Sequence, residues 1–181
     1  MNYQGMLEVW KAGWPFGWIH CQHTIGPTPR IMKNLAAFRP GSLVFLTLGM
    51  PEFLAAEHLA ADVAATVKLL HLVSYEHMGV VRASCVDGCT CTPYEIDGHL
   101  TRSGRNVSVY VEATMDVRFS PASSRRRAMT THDLRRCVIS LRVLKRTSSG
   151  EHRWVLTRAT VGTPMPADAS KKREASRGAT P

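Results

Sequence analysis

The sequence predicts a mainly β protein: a jelly-roll-like antiparallel β-sandwich with one helix and a disordered basic tail at its C-terminal end. Three observations predict it. Residues 107–119 alternate apolar and polar positions without a break, residues 137–143 repeat that period of two, and the chain returns over residues 154–161 after a turn at Ser148-Ser149-Gly150. Parallel strands would need a crossover apiece, and only one helical pattern is available to supply them, so the strands are expected to pair antiparallel. At 181 residues the chain suits one domain with a proper core.

The long element is the clearest. Val107, Val109, Val111, Ala113, Met115, Val117 and Phe119 hold the odd positions, whereas Ser108, Tyr110, Glu112, Thr114, Asp116 and Arg118 hold the even ones. The odd face is expected to be buried along its whole length. Cys137, Ile139, Leu141 and Val143 form a second such face, and residues 137–161 read as a hairpin. Further toward the N-terminus, Val81, Ala83 and Cys85 share a face opposite Arg82 and Ser84. Asp87-Gly88 and Asp97-Gly98 are turn signals on either side of a short extended piece.

Before these, residues 42–48 (SLVFLTL) read as a buried strand after the Pro40-Gly41 turn. Residues 51–68 give the helical pattern: Pro51 suits the first helical position, Glu52 the positive end, and Leu59, Val63, Val67 and Leu70 recur at three or four. Trp10, Trp14 and Trp18 are spaced by four, but Pro15 and its flanking glycines break a helix there. The expected organisation is therefore an irregular segment over residues 1–35, a β-sandwich over 36–162 and a disordered tail over 163–181.

A net charge of +9 raises the question of an anionic partner. Arg125, Arg126, Arg127, Arg135 and Arg136 are the candidate basic patch, with Arg142, Lys145, Arg146 and the tail lysines adding to the charge. Such charge reads first as solvated loop and tail, and next as a surface for carbohydrate or another anionic polymer. No aromatic residues are interleaved with the arginines, which argues against nucleic acid, since single strands need stacking platforms. No apolar run of about 18 residues is present for a membrane-spanning helix. The first residues carry charges, glycine and proline where a signal peptide needs an unbroken apolar stretch.

Five cysteines occur, at positions 21, 85, 89, 91 and 137. Cys85, Cys89, Cys91 and Cys137 are disulfide candidates with three possible connectivities. A Cys85–Cys137 bond would join two buried strand faces, with Cys89 and Cys91 too close to pair and left to split their partners. A four-thiolate zinc site is the alternative, weakened because the second half offers one cysteine where paired knuckles are usual; buried free thiols are another. Asn106-Val107-Ser108 is a glycosylation sequon, which makes Asn106 a candidate site. Disulfides and sequon together point to an oxidising, secretory or extracellular compartment, although no signal peptide is visible.

The stretch LVSYEHMG from Leu72, the following VRASCVDGCTC, Asp97-Gly98, the segment CVISLRVL from Cys137 and TSSGEHRW from Thr147 together resemble the C-terminal β-rich region of plant and algal proteins similar to SGNH (GDSL) hydrolases. The resemblance covers residues 36–162. It implies an accessory β-sandwich that follows an esterase-like domain. Residues 1–35 do not resemble the lead-in of that family, and residues 50–68 look inserted, so the chain is expected to be a fragment of a longer protein or to carry a misassigned first exon.

No Gly-Asp-Ser block and no Gly-x-Ser-x-Gly elbow occurs. His77 beside Glu76 and His132 beside Asp133 are sequence neighbours that point apart in a strand, and turn-stabilising roles suit them better than catalysis. No catalytic, cofactor-binding or metal residue is expected, and no cofactor. The function expected is a non-catalytic binding module for a glycan or cell-wall polymer. The alternatives are a piece of an SGNH-type esterase without its catalytic half, or a binder of anionic polymers or nucleic acid through arginine-rich loops.

Overall fold

The computed structural model describes residues 17–25, 30–51, 62–100, 106–120 and 136–164. These form ten strands: β1 (Trp18–Ile25), β2 (Arg30–Ala37), β3 (Leu43–Gly49), β4 (Val63–Ser74), β5 (Val80–Asp87), β6 (Cys89–Thr90), β7 (Tyr94–Asp97), β8 (Ser108–Phe119), β9 (Arg136–Val143) and β10 (Trp154–Gly162). They make two sheets, β1-β2-β10-β4-β8-β6 and β3-β9-β5-β7. Every pairing between named strands is antiparallel. The fold is the expected antiparallel β-sandwich.

The core is made where the two sheets' alternating faces meet. Val63, Ala65, Val67 and Leu69 of β4 and Trp154 and Leu156 of β10 face Val44, Leu46 and Leu48 of β3, Val81 and Ala83 of β5, and Cys137, Ile139, Leu141 and Val143 of β9; all are buried. Trp18 packs edge-on against Trp154 with ring centroids 6.0 Å apart, and His71 stacks on the same indole at 5.1 Å. Trp154, the largest fully buried side chain, thus has a ring on each of two sides.

Several expectations are corrected. Residues 63–68, the last third of the anticipated helix, are strand, and residues 52–61 lie outside the described residues. The segment is alanine-rich, but β4 is an inner strand of its sheet, hydrogen-bonded to β8 on one side and β10 on the other. Pairing on both edges outweighs a local helix preference of a few tenths of a kcal/mol per residue. The stretch expected to be irregular, with at most one short strand, supplies β1 and the first six residues of β2, which pair from Trp18↔Ala37 to Ile25↔Arg30. Trp18 opens β1 and is itself buried, which the prolines and glycines around it concealed. No helix is present among the described residues.

The expected hairpin over 137–161 is also corrected. Strand β9 lies in the four-stranded sheet and β10 in the six-stranded one, so the chain crosses the core between them. Two one-sided apolar strands can bury their faces by pairing edge to edge or by packing face to face, and the alternation is the same in both cases.

Strand β8 keeps its predicted bounds to one residue but only half of its predicted burial. Met115, Val117 and Phe119 are buried, whereas Val107, Val109 and Val111 are 37%, 42% and 38% exposed. The far edge of β8 is paired only by β6, at Arg118 and Phe119. Its first half therefore runs as a rim strand outside the core cluster, which on this strand reaches no farther than Ala113.

Candidate functional site

Three groupings of chemically capable side chains stand out. The first is at the β5–β6 turn. Strand β5 runs in the four-stranded sheet to Asp87, Gly88 turns the chain, and Cys89 opens β6 in the other sheet. Gly88 sits at φ +70°, and a Cβ there would overlap the carbonyl oxygen of Arg136, so only glycine allows β9 to pass so close. The turn folds Cys91 back on Cys85, whose N–H donates to the Cys91 Sγ at 3.0 Å. Two disulfides result, Cys85–Cys91 and Cys89–Cys137.

All four candidate cysteines are thus used, and Cys89 and Cys91 do take different partners. The anticipated Cys85–Cys137 bond is corrected. Cys85 lies opposite Ile139 in β9, in the same sheet as Cys137, so that bond would have joined neighbouring strands. Cys89–Cys137 instead joins β6 of one sheet to β9 of the other. Cys21 is free. The sulfurs of Cys85, Cys89 and Cys137 lie within 4.8 Å of one another, with Cys137 fully buried and Cys89 nearly so.

The second grouping is the outer face of the four-stranded sheet. One cross-strand row places Phe45 of β3 opposite Ser140 of β9 and Ser140 opposite Ser84 of β5. The adjacent row runs Leu43, Arg142, Arg82, Glu95. These residues alternate with the buried core set, and Phe45 is 39% exposed. Arg82 donates to Glu95 from both Nε (3.2 Å) and Nη2 (2.7 Å), and Arg146 pairs with the other oxygen of the same carboxylate. Arg142, directly opposite Arg82, has no acidic partner among the described residues. The Ser140 hydroxyl donates to the Ser84 carbonyl at 3.3 Å. The face combines a ring, two small hydroxyls and a surplus of guanidinium, a set able to stack on an apolar ring face and grip carboxylates.

The third grouping surrounds His77, a non-glycine residue in the left-handed region (φ +62°). Its Nδ1 lies 2.6 Å from Glu151, and its Nε2 3.8 Å from Glu76. The acid that engages the ring is therefore the distant Glu151. The nearby hydroxyls of Thr147 and Ser149 both donate to the Met78 carbonyl, and that of Ser148 donates to Asp97 at 2.7 Å. Each of these groups holds the loops on one another, and His77 serves as a clamp between the β4–β5 and β9–β10 connections.

The other sequence candidates separate. Asn106 is exposed, just ahead of β8, and Ser108 of its triplet bonds Ser74 at 2.8 Å. Arg136 begins β9 and lies 3.8 Å from Asp87. Arg125, Arg126, Arg127, Arg135, His132 and Asp133 lie outside the described residues. The row containing Phe45 and Arg142 was missed because an exposed phenylalanine inside an apolar run, residues 42–48, reads as core; its even-numbered neighbours Val44, Leu46 and Leu48 were the signal that Phe45 faces outward.

Fold and site define a disulfide-stapled antiparallel β-sandwich with a basic, aromatic-bearing sheet face. Comparison with protein-family models, with curated proteins and with solved structures returns no match. Among the described residues no helix is long and apolar enough to cross a membrane, and the two disulfides are compatible with an oxidising environment.

Proposed function

We propose that this protein is a non-catalytic carbohydrate-binding module which lays an acidic polysaccharide, such as a cell-wall polymer, across the outer face of its four-stranded sheet. The observation that carries the reading is the pair of adjacent rows just described: Phe45, Ser140 and Ser84 beside Arg142 and Arg82, with Glu95 as the one acid in the rows. A sugar's axial C–H face stacks on the exposed ring, hydroxyls meet the serines, and a uronate carboxylate pairs with Arg142. Strand-borne side chains hold this spacing without ordering a loop. The sequence resemblance to accessory domains of SGNH-type hydrolases supports the same reading by analogy, and the two disulfides fit the oxidising setting that such a module would work in.

Affinity electrophoresis through gels containing polygalacturonate or a neutral β-glucan tests it. The protein is expected to be retarded by the acidic polymer more than by the neutral one. Phe45→Ala and Arg142→Ala should each abolish most of that retardation while leaving the thermal transition in place. Equal migration in both gels, or retardation indifferent to both substitutions, would refute the assignment. Chromogenic short-chain ester assays should show no turnover, and turnover lost on heating would make the chain an esterase instead.

A further inference from the structure

The cluster at the β5–β6 turn holds more sulfur than a staple needs. Cys89–Cys137 alone ties the sheets together, and Cys85–Cys91 closes a loop whose ends are only six residues apart. What sets the place apart is convergence: three sulfurs, from β5, β6 and β9, lie within 4.8 Å of one another, and the fourth is bonded to one of them. Tetrahedral zinc with Zn–S bonds of about 2.3 Å separates its sulfurs by roughly 3.8 Å, inside the 4.8 Å that encloses the three, and the two bonded pairs have to open by about 2 Å once reduced.

We propose that, once its two disulfides are reduced, the chain binds one zinc ion through Cys85, Cys89, Cys91 and Cys137. The apolar sandwich core is made by the strands themselves, so the ligands are brought together by β5, β9 and the Gly88 turn. The sequence objection, that the second half supplies a single cysteine, has less force in three dimensions. Cys85, Cys89 and Cys91 all come from one reversal of the chain, and β9 presents Cys137 to it through the gap that Gly88 leaves.

The chemistry balances as two separate events. Two two-electron reductants, each a phosphine or a dithiol, convert the two disulfides into four thiols. Zinc then displaces four protons to give a tetrathiolate of net charge 2−. The Cys85 N–H already directed at the Cys91 sulfur favours that negative charge. Reduction begins at Cys85–Cys91, since both of its residues are partly exposed while Cys89 and Cys137 are buried. The same link between the sheets is therefore made by a disulfide under oxidising conditions and by zinc under reducing ones.

Cobalt(II) titration of the full chain, reduced with a phosphine under argon, tests this. One cobalt per chain is expected, with tetrahedral ligand-field bands and sulfur-to-cobalt charge transfer of four-thiolate intensity, both displaced by one equivalent of zinc. Cys137→Ser, reduced in the same way, should lose the four-sulfur spectrum, whereas Cys21→Ser should retain it. Circular dichroism recorded on the same samples covers the case in which the reduced chain unfolds. Recovery of the β spectrum with one equivalent of zinc supports the site. A reduced chain that takes up no stoichiometric cobalt, that zinc fails to refold, or whose four-sulfur spectrum survives Cys137→Ser would overturn it.

Discussion

Cys89 and Cys137 are bonded across the core, one from the first residue of β6 in the six-stranded sheet and the other from the second residue of β9 in the four-stranded sheet. Their sequence separation is 48 residues, against six for Cys85–Cys91. In the chain-entropy model, closing the longer loop stabilises by about 4 kcal/mol and the shorter by about 2 kcal/mol. Replacing Cys89 and Cys137 together by alanine should lower the urea midpoint clearly more than replacing Cys85 and Cys91 together, and equal losses would show that the inter-sheet bond has no special weight.

Burial along β8 changes at Ala113, and this sets a gradient for charge insertion. Val117→Asp places an unpaired carboxylate between the sheets and should cost about 3 kcal/mol or more. Val111→Asp, on the exposed half, should cost under about 1 kcal/mol. Urea melts of the two variants check the order, which reverses the expectation that the whole odd face is core.

His71 should make stability depend on pH. Its burial against Trp154 lowers the pKa below the ordinary 6.5, and the nearby Leu72 carbonyl only partly offsets this. The unfolded chain then binds a proton more readily than the folded one as pH falls through about 6.5. Stability from this group is complete above that value and declines below it, until the folded imidazole also protonates. Thermal melts between neutral and mildly acidic pH should show the decline, and His71→Phe should flatten it.

Gly88→Ala should damage the sulfur cluster from the backbone side. The left-handed conformation and the overlap with the Arg136 carbonyl together should cost more than about 1 kcal/mol. Refolding from the reduced state should also yield fewer correctly paired disulfides, read by peptide mapping. Wild-type yields from the variant would show that β9 can move away.

Much of the fold was legible because alternation with a period of two is a local property of the chain. The strands around Leu46, Ala83, Leu141 and Met115 could each be read without knowing their neighbours. The helix over 51–68 misled because alanine and the spacing of Val63, Val67 and Leu70 fit a helix face, while in β4 the buried odd positions Val63 to His71 alternate with an exposed Ala64 and half-buried Lys68 and Leu70, a pattern interrupted by buried Thr66 and by Leu72, Val73 and Ser74. For the site, the four cysteines could be nominated from spacing but not paired, since pairing depends on which strands pass each other at Gly88. The Phe45 and Arg142 rows were harder still, because they join residues almost a hundred positions apart.

By itself, then, the sequence determined that the chain is mainly β, which residues alternate, where Pro40-Gly41, Asp87-Gly88 and Asp97-Gly98 turn, and that four cysteines belong together. Each follows from backbone sterics and side-chain periodicity within a few residues. Only the tertiary structure decided that β9 and β10 lie in opposite sheets, that β8 is half rim, that Cys89 takes Cys137, and that Phe45 shares a row with Ser140 and Ser84. Those outcomes depend on which edges hydrogen-bond and which faces stack. An apolar strand satisfies its own burial in either arrangement, so the choice is made by the packing of all ten strands together.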